Sequence, residues 1–311
     1  IEQCVLGDKL GIDYAWSVEH HFLEEYSHCS ASDVFLSAIA AKTERIKIGF
    51  GIRQVIPNYN HPARTAESVG MLDLISHGRA QLGIGEGATR LELGGFNIPA
   101  KRKRAMALES AREIADMMVM EPYPGYECDD WSMPCRNVLP KPIQKPHPPM
   151  WMACTNRDTI REAARNGLGV LAFSFLDSEE AKAWSSIYYD TIKSEECVPL
   201  GHTVNANIAM VSAFSLHDDH DEASRRGEDG FRFFEYAIGA LVTDDVVPGR
   251  SSLWEKYIAR KQARAAGQEV HDAAYGGKRA HPDRSMARSP GIGTADEFRN
   301  HGVVRVTGDN K

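Results

Sequence analysis

Short apolar runs that alternate with amphipathic stretches constrain this chain more than any other feature. Tyr14–Val18, Ile46–Ile52, Ala80–Gly85, Met150–Cys154, Val170–Phe173, Asn207–Val211 and Val303–Val306 read as strands of four to seven residues. Helical spacing fills most of the gaps: residues 1–10, 33–43, 62–77, 101–120, 158–166, 178–192, 219–239 and 252–266. Gly11, Gly78 and Gly167 stand where three of these helices should stop. A strand–helix rhythm of this kind builds a parallel sheet covered by helices.

Seven strands are visible, and a chain that opens inside a helix implies an eighth before residue 1. Eight strand–helix units predict a (β/α)8 TIM barrel, a fold of ~250 residues before insertions. A doubly wound open sheet is the alternative. Residues 121–149, rich in proline, predict an excursion made of short extended pieces. Residues 267–293, polar and rich in Gly and Arg, predict a mobile loop. No linker or repeat divides the chain, so residues 1–311 are expected to form a single domain, with its first strand missing.

Composition narrows the function classes. A net charge of -7 disfavours a nucleic-acid surface. No apolar run approaches the roughly 20 residues of a membrane helix. The six cysteines have no paired metal spacing and read as reduced thiols in a cytoplasmic protein.

Four stretches carry chemistry. Glu19-His20-His21 follows the first visible strand, where a parallel sheet places its ligands. A histidine there can move protons and a neighbouring carboxylate can fix its tautomer. Packing explains the pair slightly better on the sequence alone, and adjacent histidines suit a metal site poorly because neighbouring strand residues face opposite ways. Cys154-Thr155-Asn156-Arg157-Asp158-Thr159 ends a strand and opens a helix, where free N–H groups bind anions. Ordinary capping by Thr155 or Asn156 explains the same residues. Gly83-Ile84-Gly85-Glu86 permits close backbone approach, although its glycine spacing is not a dinucleotide fingerprint. Gly51-Ile52 ends the second strand, where a glycine permits an unusual peptide beside a flat ligand, or marks a plain bulge. Lys101–Arg104 is a basic run, most of it a solvated face, with one member free to turn towards an anion.

Together, residues 10–22, Asn60-His61-Pro62-Ala63-Arg64, Leu72–Arg79 and Gly83-Ile84-Gly85 resemble, in order and spacing, the bacterial luciferase-like flavin monooxygenases. The resemblance implies a (β/α)8 barrel that takes reduced FMN and O2 and acts on paired donors. It implies oxygenation of a small or medium apolar molecule, such as an aldehyde, ketone or hydrocarbon, through a flavin C4a-(hydro)peroxide. It also implies an NAD(P)H:flavin reductase as partner and a homodimer or higher homo-oligomer. Carried over position by position, it makes His20 the catalytic histidine, with Glu19 orienting it. Gly51 and Ile52 lie under the isoalloxazine, where luciferases have a cis peptide. Asn156 and Thr159 match the phosphate-binding positions, with Arg104 reaching the phosphate, and Cys154 and Thr155 of the same turn are expected beside them. Glu86 departs from the pattern, which has an arginine there, and Asn156 replaces a serine. No metal is implied. A deazaflavin (F420)-dependent oxidoreductase on the same barrel and a flavin-binding protein without catalysis are the alternatives.

Overall fold

The computed structural model describes residues 1–172, 178–211, 214–244, 246–268, 270 and 292–293. These fall into two compact units, 1–210 and 211–311, which are described separately.

The first unit opens with α1 (Glu2–Leu10), closed by Gly11 in the left-handed conformation. Strand β1 (Tyr14–Ser17) leads through a loop to α2 (Ser32–Ala40), then β2 (Lys47–Gln54), α3 (Pro62–Ile75) and β3 (Ala80–Gly85). A short helix α4 (Arg90–Gly95) precedes the long α5 (Lys103–Val119). The excursion forms an antiparallel hairpin of β4 (Tyr123–Glu127) and β5 (Ser132–Arg136). The alternation resumes with β6 (Met150–Cys154), α6 (Arg157–Arg165), β7 (Gly169–Ala172), α7 (Ser178–Ile192) and β8 (Ile208–Met210).

The six strands β1, β2, β3, β6, β7 and β8 pair in chain order, all parallel. A doubly wound sheet reverses direction at a switch point, whereas a barrel adds each strand beside the last. The observed order follows barrel winding.

The sheet is also curled. Trp16 on β1 and Trp151 on β6 meet edge to face with ring centroids 5.2 Å apart. Their strands are three steps apart, which in a flat sheet is about 14 Å. Only a concave face brings the rings together. Trp16 lies across Gly49 and Gly51, and a Cβ at Gly49 would come within 2.2 Å of the indole. The glycines in β2 therefore make room for the aromatic that fills the concave face.

The convex side packs on the helices. Leu36 and Ile39 of α2, Val69 and Leu72 of α3, Ile114 and Met118 of α5, and Ile160 and Ala164 of α6 are buried at helical spacing against Ile48, Phe50 and Leu82. Arg79 locks this layer from within. Its guanidinium donates to Ala40 O, Thr43 O, Thr43 Oγ1 and Ile46 O, and its Nε to Ser76 O, all within 2.7–2.9 Å. These acceptors cluster at the C-terminal ends of α2 and α3, where helix carbonyls lack partners of their own.

In the second unit, α8 (His220–Thr243) is capped by Asp219, whose side chain accepts from Glu222 N, and is followed by α9 (Leu253–Ala265). Two-residue strands β9 (Ser215–Leu216) and β10 (Ile292–Gly293) pair in parallel. Sequence patterning foresaw α8, α9 and the short extended pieces that form β4 and β5, but not β9, β10 or α4. The expected strand at 303–306 and nearly all of the loop expected at 267–293 lie outside the described residues. Among the described residues no helix is long and apolar enough to cross a membrane.

Replacing Arg79 with Met keeps the aliphatic stem but strands several buried carbonyls. Losing this buried charge-assisted network should cost about 3–5 kcal/mol, read as a lower urea midpoint with an unchanged slope.

Candidate active site

All six parallel strands leave the sheet at one end, and the chemistry-bearing residues follow β1, β2, β3 and β6 there. Ser17 lies opposite Phe50, so the residues that follow in the two chains, Val18–His20 and Gly51–Arg53, exit side by side. The Gly51–Ile52 peptide between them is cis, as the resemblance implies.

His20 is half-buried and its Nδ1 lies 3.1 Å from Glu92 Oε1. Glu92 has no exposed surface. Its Oε1 also accepts from the His21 N–H (2.9 Å) and from Gln54 Nε2 (3.0 Å), and its Oε2 accepts from the Thr89 hydroxyl (2.6 Å). Burial by itself would raise the Glu92 carboxyl. The hydrogen bond and charge of His20, with Thr89 and the His21 N–H, outweigh burial and hold it below its ordinary value. An ionised carboxylate only accepts, so His20 carries its proton on Nδ1 and keeps Nε2 as the ring's working atom.

The orienting carboxylate is thus Glu92 and not the adjacent Glu19. Glu19 Oε1 lies 3.1 Å from His21 Nε2 and accepts from Asn60 Nδ2 at 2.7 Å. Neighbouring residues leave the strand on opposite sides, so Glu19 cannot reach the ring next to it. Asn60 also donates to Gln54 O, and Gln54 Nε2 to Glu19 O, so one polar network joins the loops after β1 and β2. His21 packs instead among Tyr59 and Phe96. The sequence did contain a signal for Glu92. Thr89-x-x-Glu92 is a capping-box pattern, and Thr89 Oγ1 accepts from Glu92 N as the cap of α4.

The second cluster forms where β3 and β6 end. Ile84 pairs with Met152, so Glu86 and the Cys154–Thr159 turn emerge as neighbours. Asn156 caps α6 through a full capping box: its side chain accepts from Thr159 N at 3.0 Å. Thr159 Oγ1 accepts from the N–H groups of Thr155 (3.1 Å) and Asn156 (3.2 Å). The Asn156 and Thr159 side chains expected to face an anion are therefore engaged with each other and with the local backbone. Cys154 departs from the expected contact with a cofactor. Its side chain is fully buried, its Sγ donates to Thr159 O at 3.3 Å, and burial pushes the thiol up to about 12.

Arg104 reaches this cluster as expected, but it is already held. Its Nε donates to Glu86 Oε2 at 2.7 Å and its Nη1 to Glu162 Oε2 at 2.6 Å. Lys103 Nζ lies 3.1 Å from Glu86 Oε1 and donates to Gly87 O. Two cations and two carboxylates leave the seat with no formal excess charge. As built, it does not match the dianion of a terminal phosphate monoester.

All six cysteines are free. Among the described residues the one grouping with metal-ligand spacing is Glu109, Cys128 and Asp130, which includes neither His20 nor His21.

Comparison with known proteins agrees with this architecture. The family model for luciferase-like monooxygenase matches residues 1–303. The oxygenase component of the flavin-dependent trigonelline monooxygenase of Acinetobacter baylyi is 29% identical over 177 residues, 55% of this chain and 46% of that protein. The oxygenating constituent of 3,6-diketocamphane monooxygenase from Pseudomonas putida, solved in complex with FMN, superposes with a TM-score of 0.66 at 21% identity, covering 96% of this chain and 80% of that one. An F420-dependent secondary alcohol dehydrogenase superposes with a TM-score of 0.67 at 14% identity, covering 96% and 83%. The chain spans about half the length of the first curated relatives it matches. The curled, consecutively wound sheet is the corresponding part of the TIM barrel of these proteins, and the chain belongs to the luciferase-like monooxygenase family.

Proposed function

We propose that this protein is a flavin-dependent monooxygenase that oxygenates a small or medium apolar substrate, such as an aldehyde, ketone or hydrocarbon, using a reduced flavin and O2. An NAD(P)H:flavin reductase would supply the reduced flavin, and the enzyme would act in the cytoplasm as a homodimer or higher homo-oligomer. The observation that carries this reading is the His20–Glu92 pair at the strand ends, beside the cis Gly51–Ile52 peptide.

The flavin would supply the electrons, and the chain's part is to hold a proton in place and exclude water. With Nδ1–H committed to Glu92, His20 presents Nε2 as a single defined proton acceptor or donor. The buried negative charge of Glu92 stabilises the imidazolium once Nε2 takes a proton. Gln54 and Thr89 hold that carboxylate still, so the ring does not have to reorganise as charge develops. The same proton handling would serve hydride transfer to or from a deazaflavin of the F420 type. That second reading is favoured by one observation, the absence of excess positive charge at the Arg104 seat.

Replacing His20 with Ala should leave flavin affinity within about threefold and lower product formed per reduced flavin by about 10²-fold, the usual worth of a positioned acid–base group. An unchanged yield would remove His20 from the mechanism. Oxygen uptake with reduced FMN, against F420 reduction without oxygen, separates the two readings.

Glu92→Gln keeps the shape but removes the charge that stabilises protonated His20. Product formed per reduced flavin should fall towards that of His20→Ala, and Glu92→Asp should restore most of it. The stability effect has a definite sign. Glu92 has a depressed folded pKa, so its stabilisation is complete above the ordinary carboxylate range and disappears as pH falls through the folded value. Denaturant midpoints of the protein and of Glu92→Gln should therefore converge as pH falls below that range.

A further inference from the structure

The seat formed by Glu86, Lys103, Arg104 and Glu162 pairs two cations with two carboxylates. Rested on the flavin reading above, the inference concerns these four residues alone.

Arg104 is gripped from two sides. Glu86 takes the fork formed by Nε (2.7 Å) and Nη2 (3.3 Å), and Glu162 takes Nη1 (2.6 Å). Lys103 does not restore the balance, because its ammonium is spent on Glu86 Oε1 and Gly87 O. At the neighbouring helix start Asn156 and Thr159 satisfy one another and the Thr155 and Asn156 N–H groups, which leaves the first-turn N–H groups of α6 as its donors. Burial would make the Arg104 guanidinium easier to deprotonate, yet the two carboxylates outweigh burial and hold its pKa above the ordinary value. A phosphate monoester has to break the Arg104–Glu86 fork and then sit beside the displaced Glu86 carboxylate. A side chain that ends in a hydroxyl, or passes through a singly charged diester, meets less repulsion, and a hydroxyl can also donate to the carboxylates already there.

We propose that Glu86 is a specificity residue which turns this end of the mouth against a terminal phosphate dianion, so that the site prefers a flavin carrying no more than one negative charge at that point. Riboflavin, with a bare ribityl chain, and FMN, with a phosphate monoester, differ in that one group and are the probes.

The experiment measures dissociation constants for riboflavin and FMN, oxidised and anaerobically reduced, by fluorescence quenching or calorimetry at pH 8. In the unaltered protein riboflavin should bind as tightly as FMN, within threefold, or more tightly. Glu86→Gln should tighten FMN at least tenfold while moving riboflavin less than threefold, and the retained riboflavin affinity reports that the variant is folded. Glu162→Gln, which frees the other side of Arg104, should tighten FMN in the same direction. An FMN preference of tenfold or more in the unaltered protein, or an FMN affinity that Glu86→Gln leaves unchanged, overturns the proposal. Failure of the protein and both variants to bind either flavin, oxidised or reduced, with F420 failing too, overturns the flavin reading and the proposal with it. Binding of F420 alone supports it, because that cofactor carries a diester where FMN carries a monoester.

Discussion

A carboxylate with no exposed surface has to be surrounded by donors, and at Glu92 the donors decide the shape of the site. They come from His20 and the His21 backbone after β1, Gln54 at the end of β2, and Thr89 at the start of α4. Three separate segments are thereby fixed to one pair of oxygen atoms. Leaving any of these groups unpaired in the interior would cost free energy comparable to a hydrogen bond. The pairing that defines the His20 tautomer is the same pairing that holds the loops after β1 and β2 against α4.

A second polar device acts at the opposite end of the same layers. Arg79 has no carboxylate hydrogen-bonded to it; its five donated bonds end on four carbonyls and one hydroxyl. Its charge is balanced by these dipoles together with the nearby Asp8 carboxylate, and the bonds also finish the last turns of α2 and α3. One end of the sheet thus uses a buried anion to place a reactive ring, and the other uses a buried cation to hold helices in register. Between them lies the aromatic contact of Trp16 with Trp151, for which the sheet must curl.

The strands and helices of residues 1–211 were legible because burial on one or both faces imposes period and length on the apolar residues. What escaped was made of few residues or depended on distant partners. α4 is six residues long, too short for a helical period to show, and only the Thr89–Glu92 capping pattern marks it. The partner of His20 lies 72 positions away and was replaced in the sequence reading by the nearest acid, Glu19, which strand geometry turns elsewhere. Arg104 and Glu86 were both marked from sequence as residues of the phosphate end. Their mutual pairing was not, because it depends on β3 ending beside the first turn of α5.

The excursion between α5 and β6 has a consequence beyond its own fold. Its last third is pinned down: Gln144 bonds to the buried Asp73 through both its backbone and its side chain, and Lys141 donates to the carbonyls of Met117 and Met120. The hairpin of β4 and β5 projects from between those pins and the end of α5, and most of β5 is exposed. Loop-closure entropy grows only slowly with length once the ends are held. The length of the excursion is therefore a weak constraint and its tip the strong one: Trp131 is buried against Tyr126 and His61, and Asp130 pairs with Arg102, so the tip clamps the hairpin to the starts of α3 and α5.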